Sequence, residues 1–361
     1  MQIGIVGLAL SGKTTLFNAL TGQQELTGFG AGAREKHVAV VKVPDTRLDD
    51  LHGLVPQARK VQTTIEYIDM AGVEKGSGKS GFDAQFLGDL RQTEALLVVV
   101  RAFENDAVPH QDGSVDAHRD YSTISDEFLL SDLAVVENRL TRIEQQIRKI
   151  KNEAMEREMV LLKKCNACLE ESKPLRELEL TAEENKILRG FQFLTLKPTL
   201  VAININESDI PHAEEIESEF RNKYQTASKD FIALSAEIEM EIAQLSEDDA
   251  ALFLQEMSIK EPALTRMIRY SHNLLGLLTF FTFGENEVRS WTLKNGLTAR
   301  LAAGEIHSDM ERGFIRAETI PYDTLLQHKS LAKCRETGSL RLEGKEYIVK
   351  DGDVITFRFN V

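Results

Sequence analysis

A lysine and two threonines follow a glycine-containing turn near the start of the chain. Residues 7–16, GLALSGKTTL, match the spacing G-x-x-x-x-G-K-T, with the glycines at Gly7 and Gly12. Glycines let the backbone turn so that successive N–H groups point inward, and such groups bind phosphate oxygens beside a helix N-terminus. In this pattern Lys13 reaches the β- and γ-phosphates, and the Thr14 hydroxyl binds Mg²⁺. The spacing therefore predicts a nucleotide-binding loop formed by Leu10, Ser11, Gly12, Lys13, Thr14 and Thr15.

A strand and a helix are needed to hold these residues in place. The apolar run Ile3-Gly4-Ile5-Val6 is typical of a buried strand, and residues 15–20 are typical of a helix. The same sequence could form a plain strand-turn-helix corner with no ligand. The context on both sides favours the phosphate-binding interpretation.

Apolar runs of strand length recur along the chain, with helical patterns between them. They cover residues 2–6, 38–43, 64–69, 95–100, 199–204 and 231–235. Runs that are apolar on both faces indicate a mostly parallel sheet with helices on both faces, in the α/β class. Nucleotides bind at the carboxyl ends of such strands, so the residues that end each run are the next candidates.

The run at 64–69 ends at Asp69 and is followed by Met70-Ala71-Gly72. An aspartate at this place can hold Mg²⁺ through water, and the N–H of Gly72 can bond the γ-phosphate. We expect Asp69 to bind the metal together with Thr14, and Gly72 and Lys13 to be catalytic. The loop that follows, residues 73–81, would then respond to the state of the nucleotide.

Two later runs end in residues that could select a purine base. The first, 199–204, ends at Asn204 and is followed by Ile205-Asn206-Glu207. At this place GTP-binding switches carry Asn-Lys-x-Asp. In those switches Asn bonds the purine N7 and Asp bonds guanine. Glu207 is one methylene longer than Asp, so we expect a weaker match to guanine. Ser235 and Ala236, which follow the last run, are expected to back the base.

Length and composition limit the classes of function. The chain has 361 residues, enough for two or three domains, and 42% of them are hydrophobic. A net charge of −14 argues against a protein that coats nucleic acid through a general positive field. Three cysteines, no signal-like start and no apolar run of membrane-spanning length predict a cytoplasmic protein with no membrane partner. We expect a monomer, although no pattern specifies the oligomeric state.

The middle of the chain has a helical pattern. Apolar residues alternate steps of three and four, as in a heptad seam, at Leu133, Val136, Leu140, Ile143, Ile147 and Ile150. With a second helical stretch at about 156–171, they could form an antiparallel arm or simply cover one face of the sheet. After Gly276, short alternating runs predict a small domain built on a sheet. The predicted segments are a nucleotide-binding domain at 1–128 and 191–276, an arm at 129–190 and a C-terminal domain at 277–361.

Two patterns on the predicted arm have more than one interpretation. Cys165 and Cys168 have the spacing of redox and metal sites, but residues three apart share one face of a helix, so packing cysteines are expected. Basic residues near the tip form either a solvated face or an RNA contact: Arg142, Arg148, Lys149, Lys151, Lys163 and Lys164.

Long stretches of the sequence resemble the Obg-like ATPases of the YchF group, within the translation-factor-related GTPases. They are GLALSGKTTLFNAL, YIDMAGVEKGSG, FLTLKPTLVAININE, GEIHSDMERGFIRAET and EGKEYIVKDGDVITFRFNV. The resemblance covers essentially the whole chain. It implies a G domain interrupted by a helical coiled-coil arm and followed by a β-grasp (TGS) domain. It also implies slow, Mg²⁺-dependent hydrolysis of ATP or GTP, and association with ribosomes or ribosomal RNA through the arm or the TGS domain.

The sequence departs from its relatives at several positions of the site. Leu10 stands where most relatives carry an Asn that helps hold a monovalent cation, so potassium activation is not predicted. Residues 30–37 contain no hydroxyl residue to serve as a switch threonine, so either Thr27 or a water completes the metal ligands. Val73, by contrast, conforms to the YchF group, which is likewise apolar where many GTPases place a glutamine that orients water, so slow turnover is expected.

Two other functions are compatible with a phosphate-binding loop. The first is a nucleotide-dependent binding module with negligible hydrolysis. The second is a small-molecule kinase, which would need an arginine-rich lid that the sequence does not show. The pair Asn204 and Glu207 favours a G-protein type of base site over a kinase.

Replacing Glu207 by Asp should move base preference toward GTP, because the shorter acid matches the position of the guanine-binding carboxylate. Equilibrium dissociation constants of ATP and GTP for the wild type and Glu207→Asp provide the measurement. An unchanged ratio of the two constants would place the base elsewhere.

Overall fold

The computed structural model describes residues 1–22, 37–69, 82–149, 152–226, 228–257 and 259–360. Its strands are β1 (Gln2–Val6), β2 (His37–Lys42), β3 (Arg59–Val61), β4 (Thr64–Asp69), β5 (Ala95–Arg101), β6 (Thr199–Asn204), β7 (Lys229–Leu234), β8 (Leu277–Phe283), β9 (Glu287–Lys294), β10 (Phe314–Pro321), β11 (Arg341–Glu343) and β12 (Asp353–Phe359).

The α-helices alternate with these strands in the first part of the chain. They are α1 (Lys13–Thr21), α2 (Thr46–Gly53), α3 (Ala84–Gln92), α4 (Ala117–Ile147), α5 (Glu153–Glu170), α6 (Ala182–Leu188), α7 (Ala213–Tyr224), α8 (Ala236–Ile242), α9 (Glu247–Glu256), α10 (Ala263–Leu274), α11 (Ala299–Ile306), α12 (Ser308–Arg312), α13 (Tyr322–His328) and α14 (Leu331–Glu336). Short 3₁₀ helices cover Leu175–Glu177, Arg189–Phe191, Leu194–Leu196 and Glu207–His212. No helix in the described ranges is both long and apolar enough to cross a membrane.

The first sheet has the strand order β2-β4-β1-β5-β6-β7. The pairings of β4 with β1, β1 with β5, β5 with β6 and β6 with β7 are parallel. All residues of β5 and β6 are buried, which explains why these strands are apolar on both faces. Helices α3, α4 and α7 pack on the sheet through a common apolar core. The predicted α/β fold is confirmed, with the strands of this sheet where the apolar runs placed them.

The second sheet has the order β11-β10-β12-β8-β9-β3. It is mixed: β8 pairs with β9, and β10 with β11 and β12, in antiparallel fashion, whereas β12 with β8 and β3 with β9 are parallel. One face packs on α2 and α13, and the other packs on α11. The expected C-terminal domain built on a sheet is confirmed.

The chain divides into two compact units. The first contains Met1–Val40 and Glu66–Met267, and the second contains Val41–Ile65 and Ile268–Val361. The sequence-based segments kept 41–65 in the first domain, whereas α2 and β3 belong to the second unit. The reason is packing, because Leu48 and Leu51 of α2 are fully buried in the core of the second sheet. The four segment boundaries otherwise stay predictions.

Helix α4 serves two cores. Its first turns pack on the sheet through Tyr121, Ile124 and Phe128. Farther along, Leu129 and Val136 pack with residues of α5 in a separate core. The heptad pattern left two alternatives, a helix that covers the sheet and a helix that pairs with a second one in an arm. The first half of α4 follows the first alternative, and the second half follows the second.

Cys165 and Cys168 lie inside the core that α4 and α5 share. Burial raises the pKa of the Cys165 thiol to about 11 and that of Cys168 above its ordinary value. A thiol with a raised pKa is a poor nucleophile, as expected for packing cysteines.

The buried carboxylate of Asp132 fixes the middle of α4 to the chain that returns from α5. Asp132 is 0% exposed and accepts a 2.7 Å hydrogen bond from the Arg91 guanidinium. Its oxygens also accept from the N–H groups of Leu194 and Thr195 at 3.1 and 2.8 Å and from the Thr195 hydroxyl at 2.7 Å. The carboxylate is fully satisfied, and it joins three separate segments.

Asp132→Ala should lower the free energy of unfolding by about 3–5 kcal/mol, because it leaves the Arg91 charge and two backbone N–H groups without their partner. Denaturant unfolding followed by circular dichroism measures the change. Glu171→Ala is the matched control, because Glu171 forms an exposed ion pair with Lys173 and should leave the midpoint unchanged. Equal midpoints for the two variants would contradict this role of Asp132.

Candidate functional site

The turn between β1 and α1 has the backbone geometry of a phosphate-binding loop. Gly12 has φ +91°, and a Cβ added there would lie 2.1 Å from the Asn204 side-chain nitrogen. A Cβ on Gly7 would lie 2.4 Å from the Val99 carbonyl oxygen. Both positions thus require glycine. Leu10 has φ +62°, a left-handed conformation that is costly for a leucine.

The lysine of the loop is buried in this turn. Lys13 is 7% exposed, and its ammonium group donates a 2.7 Å hydrogen bond to the Leu8 carbonyl oxygen. Burial lowers the pKa of Lys13 to about 8, while the charge of Asp69 acts in the opposite direction.

Asp69, at the end of β4, lies beside the start of α1. It is 7% exposed, and burial raises its pKa, against the opposing effects of Lys13, His37 and a hydrogen bond with Thr14. Its Oδ1 is buried and has no hydrogen-bond partner among the described residues. An orphaned carboxylate oxygen beside a threonine hydroxyl fits a divalent cation, because hard cations prefer such oxygen ligands.

Elsewhere in the described part of the chain, no alternative metal centre is found. Within the described residues, no group of three or more His, Cys, Asp or Glu side chains is placed to share an ion. Thr14 and Asp69 are therefore the residues that fit a metal arriving with a nucleotide, which would obtain its remaining ligands from phosphate and water.

Asn204 connects three loops at the carboxyl edge of the first sheet. Its side-chain amide donates to the Ser11 carbonyl oxygen at 3.1 Å and accepts from the Ala236 N–H at 3.0 Å. Asn204 and Ala236 are both buried, as is Ser235, which precedes α8. The structure thus brings Ser11, Asn204, Ser235 and Ala236 together.

Glu207 and Thr15 are less buried than the residues that Asn204 connects. Glu207 is exposed and begins the short 3₁₀ helix Glu207–His212, whereas Thr15 is half-buried in the first turn of α1. Gly72, Val73 and the candidate switch residue Thr27 lie outside the described residues. The roles assigned to them stay predictions.

Phe103 and Arg101 were missed by the sequence reasoning. Phe103 follows β5, and a ring carbon lies 3.8 Å from the position a Gly12 Cβ would take. The buried Arg101 guanidinium stacks on this ring at 4.5 Å and donates to the carbonyl oxygens of Phe103 and Val108 at 3.0 and 2.7 Å. Nucleotide sites lie at the carboxyl ends of parallel strands. The position of Arg101 and Phe103 just after the apolar run 95–100 could therefore have identified them as candidates.

The sheet, the glycine-dependent turn and the clustered strand ends define a P-loop nucleotide-binding protein of the GTPase fold. A family model described as "50S ribosome-binding GTPase" matches residues 2–165. A second model, for the C-terminal part of YchF GTPases and described as a protein of unknown function (DUF933), matches residues 277–360.

Relatives match along almost their entire length. The ribosome-binding ATPase YchF of Bacillus subtilis (strain 168) is 43% identical over 365 residues, covering 100% of this chain and 100% of the relative. The protein of the same name from Escherichia coli O157:H7 is 42% identical over 368 residues, covering 100% and 99%. The solved structure of the Schizosaccharomyces pombe YchF GTPase is similar with a TM-score of 0.87 and 30% identity, covering 99% of this chain and 97% of that one. The chain belongs to the YchF family.

Leu10→Asn should raise the free energy of unfolding by up to about 1 kcal/mol, because Asn tolerates the left-handed conformation better than Leu. Thermal unfolding of the two proteins measures it. The same substitution at Leu8 is the control, since Leu8 packs against the core of the first sheet and Leu8→Asn should destabilise. A lower melting temperature for Leu10→Asn would mean that contacts of the leucine outweigh its backbone strain.

Proposed function

We propose that this chain is a ribosome-associated P-loop nucleotide hydrolase that acts as a slow, nucleotide-dependent switch in the cytoplasm. It binds ATP, and GTP less well. The observation that carries the proposal is the buried Lys13 ammonium group, which among the described residues is bonded to the Leu8 carbonyl oxygen, in a turn whose two glycines admit no side chain. The ATPase and GTPase names of full-length relatives support it.

Phosphate binding uses the start of α1. When the triphosphate enters, the Lys13 ammonium group leaves the Leu8 oxygen and bonds the β- and γ-phosphates, while N–H groups from Leu10 to Thr15 bond the remaining oxygens. Thr14 and Asp69 would hold Mg²⁺, which neutralises charge on the phosphate oxygens. Lys13 and the N–H of Gly72 stabilise the charge that develops as water attacks the γ-phosphate.

Base selection uses the opposite side of the same turn. Asn204 presents its amide to the purine while it remains bonded to Ser11 and Ala236. The Phe103 ring, held by Arg101, provides an apolar face for the base. Glu207 accepts from a donor on the base edge, and an adenine amino group suits its longer reach.

Ribosome binding is proposed for the helical arm or the C-terminal unit. Basic residues are exposed on both helices: Arg142, Arg148 and Lys149 lie at or just after the end of α4, and Lys163 lies in the second half of α5. In a chain of net charge −14, such a local basic surface is the expected site of contact with ribosomal RNA. A monomer is sufficient for this function.

The function is tested by release of phosphate from ATP, with and without purified ribosomes. We expect slow release by the full chain, faster release with ribosomes, and a loss of roughly 100-fold or more in Lys13→Ala. Lys223→Ala is the matched control, because Lys223 is exposed on α7. No phosphate release over many hours, with or without ribosomes, would exclude a hydrolase and favour a nucleotide-dependent binding module. Transfer of the γ-phosphate to a metabolite would indicate a kinase.

Nucleotide affinity should weaken above about pH 8. Burial lowers the pKa of Lys13 to about 8, so the free protein already carries the ammonium group below that pH. Above it, binding must take up a proton, and the affinity for Mg·ATP should fall by up to about tenfold per pH unit. Calorimetric titrations between pH 7 and pH 9.5 measure this. Lys13→Arg keeps its charge and should give a flat profile, whereas a flat wild-type profile would contradict the role of Lys13.

A further inference from the structure

The loop between β5 and α4, residues 102–116, runs from the proposed purine subsite to the helix that forms the arm. At its start, the Ala102 N–H donates to the Asn204 carbonyl oxygen at 2.8 Å. Phe103 follows, with a ring carbon 3.8 Å from the position that a Cβ on Gly12 would take. At its end the loop enters α4, which continues into the core that it shares with α5. We call this segment the β5–α4 loop.

Arg101 fixes the start of the β5–α4 loop from inside the protein. It is 2% exposed, and its guanidinium carbon lies over the Phe103 ring, 4.5 Å from the ring centroid. Its Nε donates to the Phe103 carbonyl oxygen at 3.0 Å, and Nη2 donates to the Val108 carbonyl oxygen at 2.7 Å. Bonds from the N–H groups of Ala107 and Val108 to Asn105 close the same stretch into a turn. One guanidinium therefore holds both the aromatic ring and the backbone that carries it.

The energetic cost of Arg101 indicates more than a structural role. Its Nη1 is buried and has no hydrogen-bond partner among the described residues. Burial lowers the pKa of Arg101, while the charge of Asp120 acts in the opposite direction. A buried charge that is incompletely hydrogen-bonded lowers the stability of a fold. A well-packed apolar side chain would avoid that cost, so we expect the arginine to contribute something besides stability.

The far end of the β5–α4 loop is fixed by a second buried charge, Asp120, which is 2% exposed in the first turn of α4. One of its oxygens is bonded to Nε2 of His110 at 2.8 Å, and the other accepts from the Arg119 guanidinium at 3.0 and 3.1 Å. Because Nδ1 of His110 accepts from the Asp112 N–H, Nε2 carries the proton in the neutral ring and donates. Arg119 also donates to the Ser114 carbonyl oxygen at 2.8 Å. Asp120 thus fastens the loop to α4.

We propose that Arg101 and Asp120 are positioning residues for the purine, which hold the Phe103 ring in place for the base from the first turn of α4. The inference rests on the proposed nucleotide function. It adds that affinity for the base depends on two buried charges that act through Phe103. A ring that is already fixed loses little freedom when a base stacks on it, so its positioning contributes to affinity. The phosphates are bound separately, by Lys13 and the turn around it.

Two ligands separate the base from the phosphates. Mg·ATP and Mg·tripolyphosphate, which has phosphates but no base or ribose, are titrated by calorimetry into the full chain and its variants. Arg101→Gln and Asp120→Asn should each weaken binding of Mg·ATP by about tenfold, because they loosen the ring on which the base stacks. Neither should change the affinity for Mg·tripolyphosphate. Asp132→Asn is the matched control, because Asp132 is a buried carboxylate of the same helix that bonds Arg91 instead of the β5–α4 loop. It should change neither affinity.

A double-mutant cycle tests whether Arg101 acts through Phe103. In a Phe103→Leu background, Arg101→Gln should no longer change the affinity for Mg·ATP, because the ring that it holds is gone. Equal effects of Arg101→Gln in both backgrounds overturn the proposal. Should Arg101→Gln fail to fold, Asp120→Asn decides through the ratio of the two affinities. A ratio unchanged from the wild type contradicts this inference alone, whereas a wild type that binds neither ligand contradicts the proposed function itself.

Discussion

The side-chain amide of Asn204 is the contact on which the nucleotide site depends. It donates to the Ser11 carbonyl oxygen in the turn after β1 and accepts from the Ala236 N–H at the start of α8. Because both bonds come from one side chain at the end of β6, the turn after β1 and the loop before α8 are held at a fixed separation. The requirement for glycine at position 12 follows, since any side chain there would displace this amide.

The sequence allowed the first sheet to be predicted, and the residues of the candidate site to be proposed, because both have strong physical signatures. Strands buried on both faces must be apolar throughout, as in β5 and β6, and they are therefore visible in the sequence. The carboxyl ends of parallel strands lie at one edge of a sheet, which is why the sequence alone placed Lys13, Asp69 and Asn204 in one region. The heptad spacing predicted the pairing of α4 with α5, because it places the apolar residues in one stripe along the helix that must be buried against a partner.

Other features have no local signature. Strand β3 is Arg-Lys-Val, mostly exposed, and it exists because β9 supplies its hydrogen-bond partners. For this reason residues 41–65 were not assigned to the second unit. Leu10 has a positive φ that its residue type disfavours, so only tertiary contacts can impose it.

A crystal structure with Mg²⁺ and a non-hydrolysable ATP analogue tests the central claim most directly. The account predicts the β- and γ-phosphates within hydrogen-bond distance of the Lys13 ammonium group and the N–H groups of the turn, with Lys13 released from Leu8 and the purine beside Asn204 and Phe103. An analogue bound elsewhere, with the bond from Lys13 to the Leu8 oxygen intact, would contradict it.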